Sequence, residues 1–298
     1  MFWTNFHNHC YFDDGTGTPE EHVEEAIQNN VEVLGFSCHA SLPFETSWTM
    51  NKDTQKEYPA AIRSLQKKYE DKIQILLGLE IDYIHQSMGP YMSEYKDMGL
   101  DYSIGSVHHI GSMHNIESVN HKQHNISEEY IPVDGSEKML EDGINRVYQG
   151  NVRKAVEEYY TLVQEMAILG GFDILGHLDL IKKNNKNNRF FSEDEKWYKD
   201  IVMDTITRIS KSGFILEVNT GGMTRKYIDT TYPSPWILKE CLKLGIPITL
   251  NSDSHSPDNI TAWFKNTAAS LLDIGYKEIH VYGENGWKPR KLTVEGLK

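Results

Sequence analysis

The sequence predicts an α/β fold: a single barrel of parallel strands, TIM-barrel-like, with its active site at the C-terminal ends of the strands. Short β-branched or aromatic runs alternate with longer helix-period segments, the pattern of repeated βα units. At 298 residues the chain matches the size of many single-domain α/β barrels. Histidines and acids that can bind metal sit at the downstream ends of separate apolar runs. A parallel barrel gathers such residues on one face.

The first strand spans residues 2–8 and runs into His7-Asn8-His9. The first helix has a clear start, with Thr18 as N-cap, Pro19 at the first helical position and Glu21 three residues after the cap. Further strands are expected at 32–38, 74–80, 101–108, 173–177, 214–219 and 247–252, with a weaker one at 278–282. Helices are expected at 53–69, 152–169, 194–212, 235–244 and 258–272. Gly170-Gly171, Gly213 and Gly245 follow three of these helices, as C-terminal caps should.

Two stretches break the rhythm. Residues 110–151 are polar and too long for an ordinary βα connection, and residues 182–192 form the one basic loop of note. Each follows a strand whose end carries a histidine (His108 and His177), so each is expected over the pocket as a lid or substrate wall. No internal repeat, low-complexity tract or linker divides the chain, which reads as one domain, 1–298, with these two insertions.

Composition excludes several classes. With 39% apolar and 24% charged residues the chain is an ordinary globular protein, and a net charge of −13 lacks the basic stripe of a nucleic-acid binder. No window has the long uncharged apolar run of a membrane helix. A signal peptide has no room ahead of His7, so a cytoplasmic location is expected. Cys10, Cys38 and Cys241 form no CxxC pair and read as buried thiols, with Cys38 facing away from His39.

The chemistry lies in the strand-end residues. Alternate residues of a strand share a face, so His7 and His9 point the same way, and Asp253-Ser254-His255 repeats the arrangement with a carboxylate. Either pair alone is weak; together with His39, Glu80, His108 and His177 they point to a polynuclear metal site. In the loop after the first strand, Asp14 is favoured over Asp13 as a further ligand because it precedes Gly15, which permits a tight turn. A plain turn-capping role is the alternative. These donors exceed what one ion can use, so two or three ions are implied. Glu80, with two oxygens, suits a bridging position. Mixed imidazole and carboxylate donors favour Zn, Mn or Fe over Mg or Ca. Closely spaced divalent ions acidify a shared water and stabilise both oxygens of an in-line displacement at phosphorus, so phosphate-ester hydrolysis is the leading reading.

Arg153, Arg189 and Arg225 are the candidates to hold phosphate, since a guanidinium matches phosphate oxygens in two places. His109 is expected to face away from His108, and His22, His85 and His280 to lie on surfaces or helix faces. His114, His121 and His124 fall in the polar insertion, where solvent exposure competes with a substrate contact.

His7-x-His9, Asp14-Gly15, His39, Gly78-Leu79-Glu80, Gly105-Ser106-Val107-His108, Gly176-His177-Leu178-Asp179 and Asn251-Ser252-Asp253-Ser254-His255 resemble, in order, the polymerase and histidinol phosphatase (PHP) superfamily. Within it, Glu80-Ile81-Asp82-Tyr83, the long insertion and residues 173–183 look most like the histidinol-phosphate phosphatases of histidine biosynthesis. The resemblance implies a distorted (β/α)7 barrel with a trinuclear site of Zn, Mn or Fe. Position by position, His7, His9, Glu80 and Asp253 would take the first ion and Glu80, His108 and His177 the second. Asp14, His39 and His255 would take the third, with Asp14 standing where many members have histidine. Glu80, Asp253 and His255 would be catalytic, with a metal-bridging hydroxide attacking phosphorus of L-histidinol phosphate. Glu45, Asp82 and Glu117 could serve the cationic tail of that substrate. A different small phosphate ester, such as a nucleotide or an oligonucleotide end, is the rival substrate, and a noncatalytic metal-binding subunit is the rival class. The implied partner is a small phosphorylated molecule, with no nucleic acid and no membrane; a homodimer is left open.

Overall fold

The computed structural model describes residues 1–111, 130–284 and 286–298. Its organising element is a set of short parallel strands in two ladders. β1 (Trp3–Asn5), β2 (Val31–Phe36) and β3 (Gln74–Leu77) form the first, in that order. The second comprises β4 (Glu80–Asp82), β5 (Ile104–Ser106), β8 (Ile174–Leu175), β9 (Ile215–Asn219) and β10 (Ile248–Asn251), ordered β10-β9-β8-β5-β4. Between β5 and β8, the short strands β6 (His109–Ile110) and β7 (Ile131–Pro132) make an antiparallel pair.

The expected strand over 74–80 is two elements. β3 and β4 are parted at Gly78 and Leu79, yet the register with β2 runs on, because Phe36 pairs with Leu77 and His39 bridges Glu80. The break has a steric cause. A Cβ on Gly78 would lie 2.3 Å from Tyr102 Cζ, and one on Gly35 would lie 2.3 Å from the Tyr102 hydroxyl. Only glycine lets this ring pass between the two strands. The hydroxyl donates to the Phe6 and Phe36 carbonyls, and the ring packs edge-on against Phe6 and Trp287. A second parallel bridge, Asn8 to Ser254, joins the end of β1 to the end of β10. Bridges therefore link the three-strand ladder to both edges of the five-strand one.

Helices pack outside the strands. α1 (Pro19–Gln28) carries the expected capping box: the Glu21 amide donates to Thr18 Oγ1 at 3.2 Å, and the Thr18 amide donates to Glu21 at 2.6 Å. α2 (Lys52–Lys68) starts at Asn51, whose side chain accepts two first-turn amides. α3 is the single turn Ser93–Lys96. α4 (Glu137–Tyr148) lies inside the stretch that reads as an irregular insertion, and buries Leu140, Ile144 and Tyr148 at helical spacing. α5 (Val152–Leu169) has the expected bounds and ends at Gly170, φ 68°. α6 (Lys196–Ile209), the turn α7 (Gly221–Thr224), α8 (Pro235–Lys243) and α9 (Phe264–Ile274) complete the series.

The weak strand expected near 278–282 is β11 (Glu278–Gly283), and it does not join the parallel set. It pairs antiparallel with β12 (Gly286–Thr293), which pairs with β13 (Gly296–Leu297). Leu297 bridges Phe2, tying the two ends of the chain together. Among the described residues no helix is long and apolar enough to cross a membrane.

Candidate metal centre

The strand ends converge as the sequence implies. His7 and His9 follow β1, His39 follows β2, Glu80 opens β4, His108 lies between β5 and β6, His177 follows β8, and Asp253 and His255 follow β10. Glu80 is fully buried at their centre. Its Oε2 lies 3.0 Å from His39 Nδ1, 3.1 Å from His7 Nε2 and 3.5 Å from His9 Nε2. Its Oε1 lies 2.9 Å from His177 Nε2 and 3.6 Å from His108 Nε2, and accepts from Ser106 Oγ at 2.6 Å. Asp253 Oδ1 sits 3.4 Å from His9 Nε2 and 3.5 Å from His255 Nδ1. Asp253 is held in the left-handed region, φ 50°, a strain that persists where surrounding structure fixes it. Asp14 Oδ1 is 3.3 Å from His255 Nε2 and 3.9 Å from His39 Nε2.

Behind these groups lies a layer of acids. Glu217 Oε1 is 2.6 Å from His7 Nδ1, Asp13 Oδ2 is 2.7 Å from His9 Nδ1, and Asp82 Oδ1 is 2.8 Å from His108 Nδ1. A carboxylate on Nδ1 keeps the proton there and turns the Nε2 lone pair inward, the arrangement typical of metal-ligating histidines. Asp13 thus backs a ring, while its neighbour Asp14 faces the pocket.

The charge balance explains the titration of the cluster. Burial opposes charging of His7, yet Glu217, Glu80 and Asp253 together push its pKa up to about 10. Burial likewise opposes charging of His108, and Asp82 and Glu80 carry it to about 10. For Glu80 burial favours the neutral acid, but His7, His39 and His108 hold it well below the usual carboxylate range. The cluster therefore draws positive charge inward. Bound cations meet that demand as well as protons do.

The donors fit metal ions. His9 Nε2 and His39 Nδ1 are buried with no hydrogen-bond partner among the described residues, although both face carboxylate oxygens. Four groups each bring one donor atom per residue to within 4.8 Å of one another: His9 with Asp14, His39 and His255; His7 with Glu80 and His177; His7 with His9 and Asp253; His39 with Glu80 and His108. The partition differs from the expected one in that His9 approaches the Asp14 group and His39 approaches His108.

The cluster opens into a cavity of about 360 Å³. Arg225 lines it, donating to the Asp253 carbonyl at 2.9 Å and to Asp253 Oδ2 at 2.7 Å. The other two arginines do not. Arg153 is exposed in an outer groove, bonded to Glu157 one turn along α5, and Arg189 is held on the surface by Glu137 and Glu141 of α4. Their acidic neighbours keep both out of the pocket. Lys183 enters instead, its Nζ donating to the Asp134 carbonyl at 2.6 Å and lying 4.5 Å from the centre of the Tyr227 ring.

Other expectations need correction. Asp82 is spent on His108 and on His109, which lies 3.4 Å away and does not face elsewhere; the residues between β5 and β6 leave strand geometry, so alternation fails there. Glu45 is exposed, and Glu117, His114, His121 and His124 lie outside the described residues. His22 is fully buried, 2.9 Å from the Thr16 carbonyl oxygen. Cys10 and Cys38, by contrast, are buried thiols as expected, their sulfurs 3.4 Å apart.

Comparison with known proteins identifies the family and the fold. A family model described as the PHP domain matches residues 5–221. A "Probable histidinol-phosphatase" of Deinococcus radiodurans is 28% identical over 267 residues, 89% of this chain and 90% of that one. The histidinol-phosphatase of Bacillus subtilis is 27% identical, covering 82% of this chain and 89% of its own. The crystal structure of histidinol phosphate phosphatase from Lactococcus lactis, complexed with Zn, L-histidinol and phosphate, superposes with a TM-score of 0.68. It covers 99% of this chain and 98% of its own, and at 22% identity that likeness bears on the fold alone.

Proposed function

This chain belongs to the PHP family, and from that premise we propose that it is a metal-dependent phosphomonoesterase that hydrolyses L-histidinol phosphate to L-histidinol and phosphate. The observation that carries the reading is Glu80, a buried carboxylate with five imidazoles within 3.6 Å of its two oxygens. That donor set suits Zn, Mn or Fe, three ions per chain. When bound, divalent ions would acidify water and offset charge on the phosphate oxygens.

The chain's own residues take the remaining roles. His7, His9, Glu80 and Asp253 would hold one ion, Glu80, His108 and His177 a second, and Asp14, His39 and His255 a third, with His9 close to it. Glu217, Asp13 and Asp82 fix the rings that carry those nitrogens. Arg225 and Lys183 supply positive charge at the cavity wall, where a phosphoryl group needs it. The same reading takes the two ladders and the bridges between them as one closed, distorted (β/α)7 barrel spanning a single domain.

A panel of esters tests the substrate. Phosphate release is measured from L-histidinol phosphate, nucleoside monophosphates and phenyl phosphate, with Zn or Mn added. A kcat/KM at least 100-fold higher for L-histidinol phosphate is expected; equal or greater rates with nucleotides would replace the substrate assignment. A cavity of about 360 Å³ favours a small ester over an oligonucleotide end.

A further inference from the structure

Four carboxylates line the cavity: Asp14, Glu80, Asp134 and Asp253. Three of them lie within 4 Å of imidazole nitrogens and serve the cluster. Asp134 differs. Among the described residues its carboxylate accepts no hydrogen bond and has no imidazole nitrogen within 4 Å; its nearest cation is Lys183, 3.8 Å from Oδ2. That lysine spends its short contact on the backbone carbonyl of Asp134, at 2.6 Å. A carboxylate can accept about four hydrogen bonds, so Asp134 keeps most of its capacity facing the cavity.

The position is fixed. Asp134 follows β7, and Val133 before it is buried and donates its amide to the His108 carbonyl at 2.9 Å. The Asn184 side chain donates to the carbonyls on either side, those of Val133 and Gly135. Lys183 and Asn184 belong to the basic loop, so the two long insertions hold each other here. The acid therefore stands on a braced wall beside the metal-binding cluster. Besides the imidazoles, Lys183 and Arg225, the cavity is lined by apolar side chains, among them Trp48, Leu180 and Met139.

We propose that Asp134 determines specificity for a cationic leaving group: its carboxylate receives the ammonium of an amino-alcohol phosphate whose phosphoryl end lies against the imidazole cluster and Arg225. This assignment rests on the phosphomonoesterase reading above. It gives the substrate's charged tail a partner that Asp82, committed to His108 and His109, cannot supply.

The test is D134N, which keeps the shape and removes the charge. The ratio of kcat/KM for L-histidinol phosphate to that for phenyl phosphate, whose leaving group is uncharged, is measured in both proteins. A hydrogen bond to a charged partner is worth roughly 10- to 100-fold, and the ratio is expected to fall by that factor in D134N. An unchanged ratio, including a parallel loss with both esters, overturns the assignment. Calorimetric titration with L-histidinol gives a second readout independent of turnover. Wild type should bind it and D134N should bind it roughly 10- to 100-fold more weakly. If neither ester is hydrolysed, the reaction reading fails, and the titration still decides the role of Asp134: no binding by wild type, or equal binding by both proteins, overturns it.

Discussion

His7 Nδ1 lies 2.6 Å from Glu217 Oε1, both fully buried, and this contact sets which nitrogen of His7 faces the cluster. Glu217 is itself held by the Asn219 and Asn251 side-chain amides and by the His177 amide, so it cannot swing away. In E217Q the new amide can donate to Nδ1 and move the ring proton to Nε2, which closes the lone pair aimed inward. Loss of such a partner costs about 10- to 100-fold in metal affinity. That drop is expected in competitive metal titrations of E217Q, and affinity equal to wild type would show that Glu217 does not set the tautomer.

The arginines separate cleanly. Arg225 touches Asp253 and lines the cavity, while Arg153 and Arg189 form exposed pairs of the kind worth about 0–1 kcal/mol. R225A is expected to lower kcat/KM by roughly 100-fold or more, the scale of a lost charge-stabilising donor. R153A and R189A should stay within about twofold of wild type, since neither side chain reaches the cluster. A large loss in R153A would mean that the outer groove takes part in catalysis, and one in R189A that the basic loop does.

Tyr102 makes a stability prediction. Its ring occupies the space where Gly35 and Gly78 lack side chains, and its hydroxyl serves two backbone carbonyls. G78A should cost about 1–3 kcal/mol, as overpacking of a filled interior does. Y102F should cost a similar amount by removing the donor to the buried Phe6 carbonyl, about 1–3 kcal/mol. Chemical denaturation of both variants measures this; G78A as stable as wild type would show that the ring can move aside.

His22 provides a pH dependence away from the cluster. Burial depresses its pKa below the ordinary 6.5, so the folded chain prefers the neutral ring. The unfolded chain takes up a proton near 6.5 and the folded one only at lower pH. The stability His22 confers is therefore complete above that value and is lost as pH falls toward the folded pKa. In H22Q the decline of Tm between about pH 7 and pH 5 should be shallower than in wild type. Parallel curves would show that His22 does not titrate differently in the two states.

Much of the candidate site was legible because each inner imidazole or carboxylate ends an apolar run. His7, His9, His39, His108, His177, Asp253 and His255 all follow parallel strands, and topology alone brings them together. The outer acids were not, since Asp13 and Asp82 resemble any loop or strand-end carboxylate. Glu217 left a signal that could have been used: it is an acid in the middle of Ile215–Asn219, a strand expected to be buried on both faces, and such a charge requires a partner. α4 was hidden by its composition, with only Leu140, Ile144 and Tyr148 marking a buried stripe among charges. Arg153 at a helix start, Arg189 in the basic loop and Arg225 after the sixth strand look alike as phosphate partners, and sequence cannot say that Glu137 and Glu141 hold Arg189 outside while Lys183 turns in.

Metal content tied to turnover tests the central claim most directly. Purified protein, wild type and E80Q, is assayed for bound divalent ions and for phosphate release from L-histidinol phosphate before and after chelation. Wild type should hold at least two ions per chain, lose activity on chelation and regain it with Zn or Mn, while E80Q should lose both metal and turnover. Fewer than one ion per chain, with hydrolysis untouched by chelators, would contradict the account.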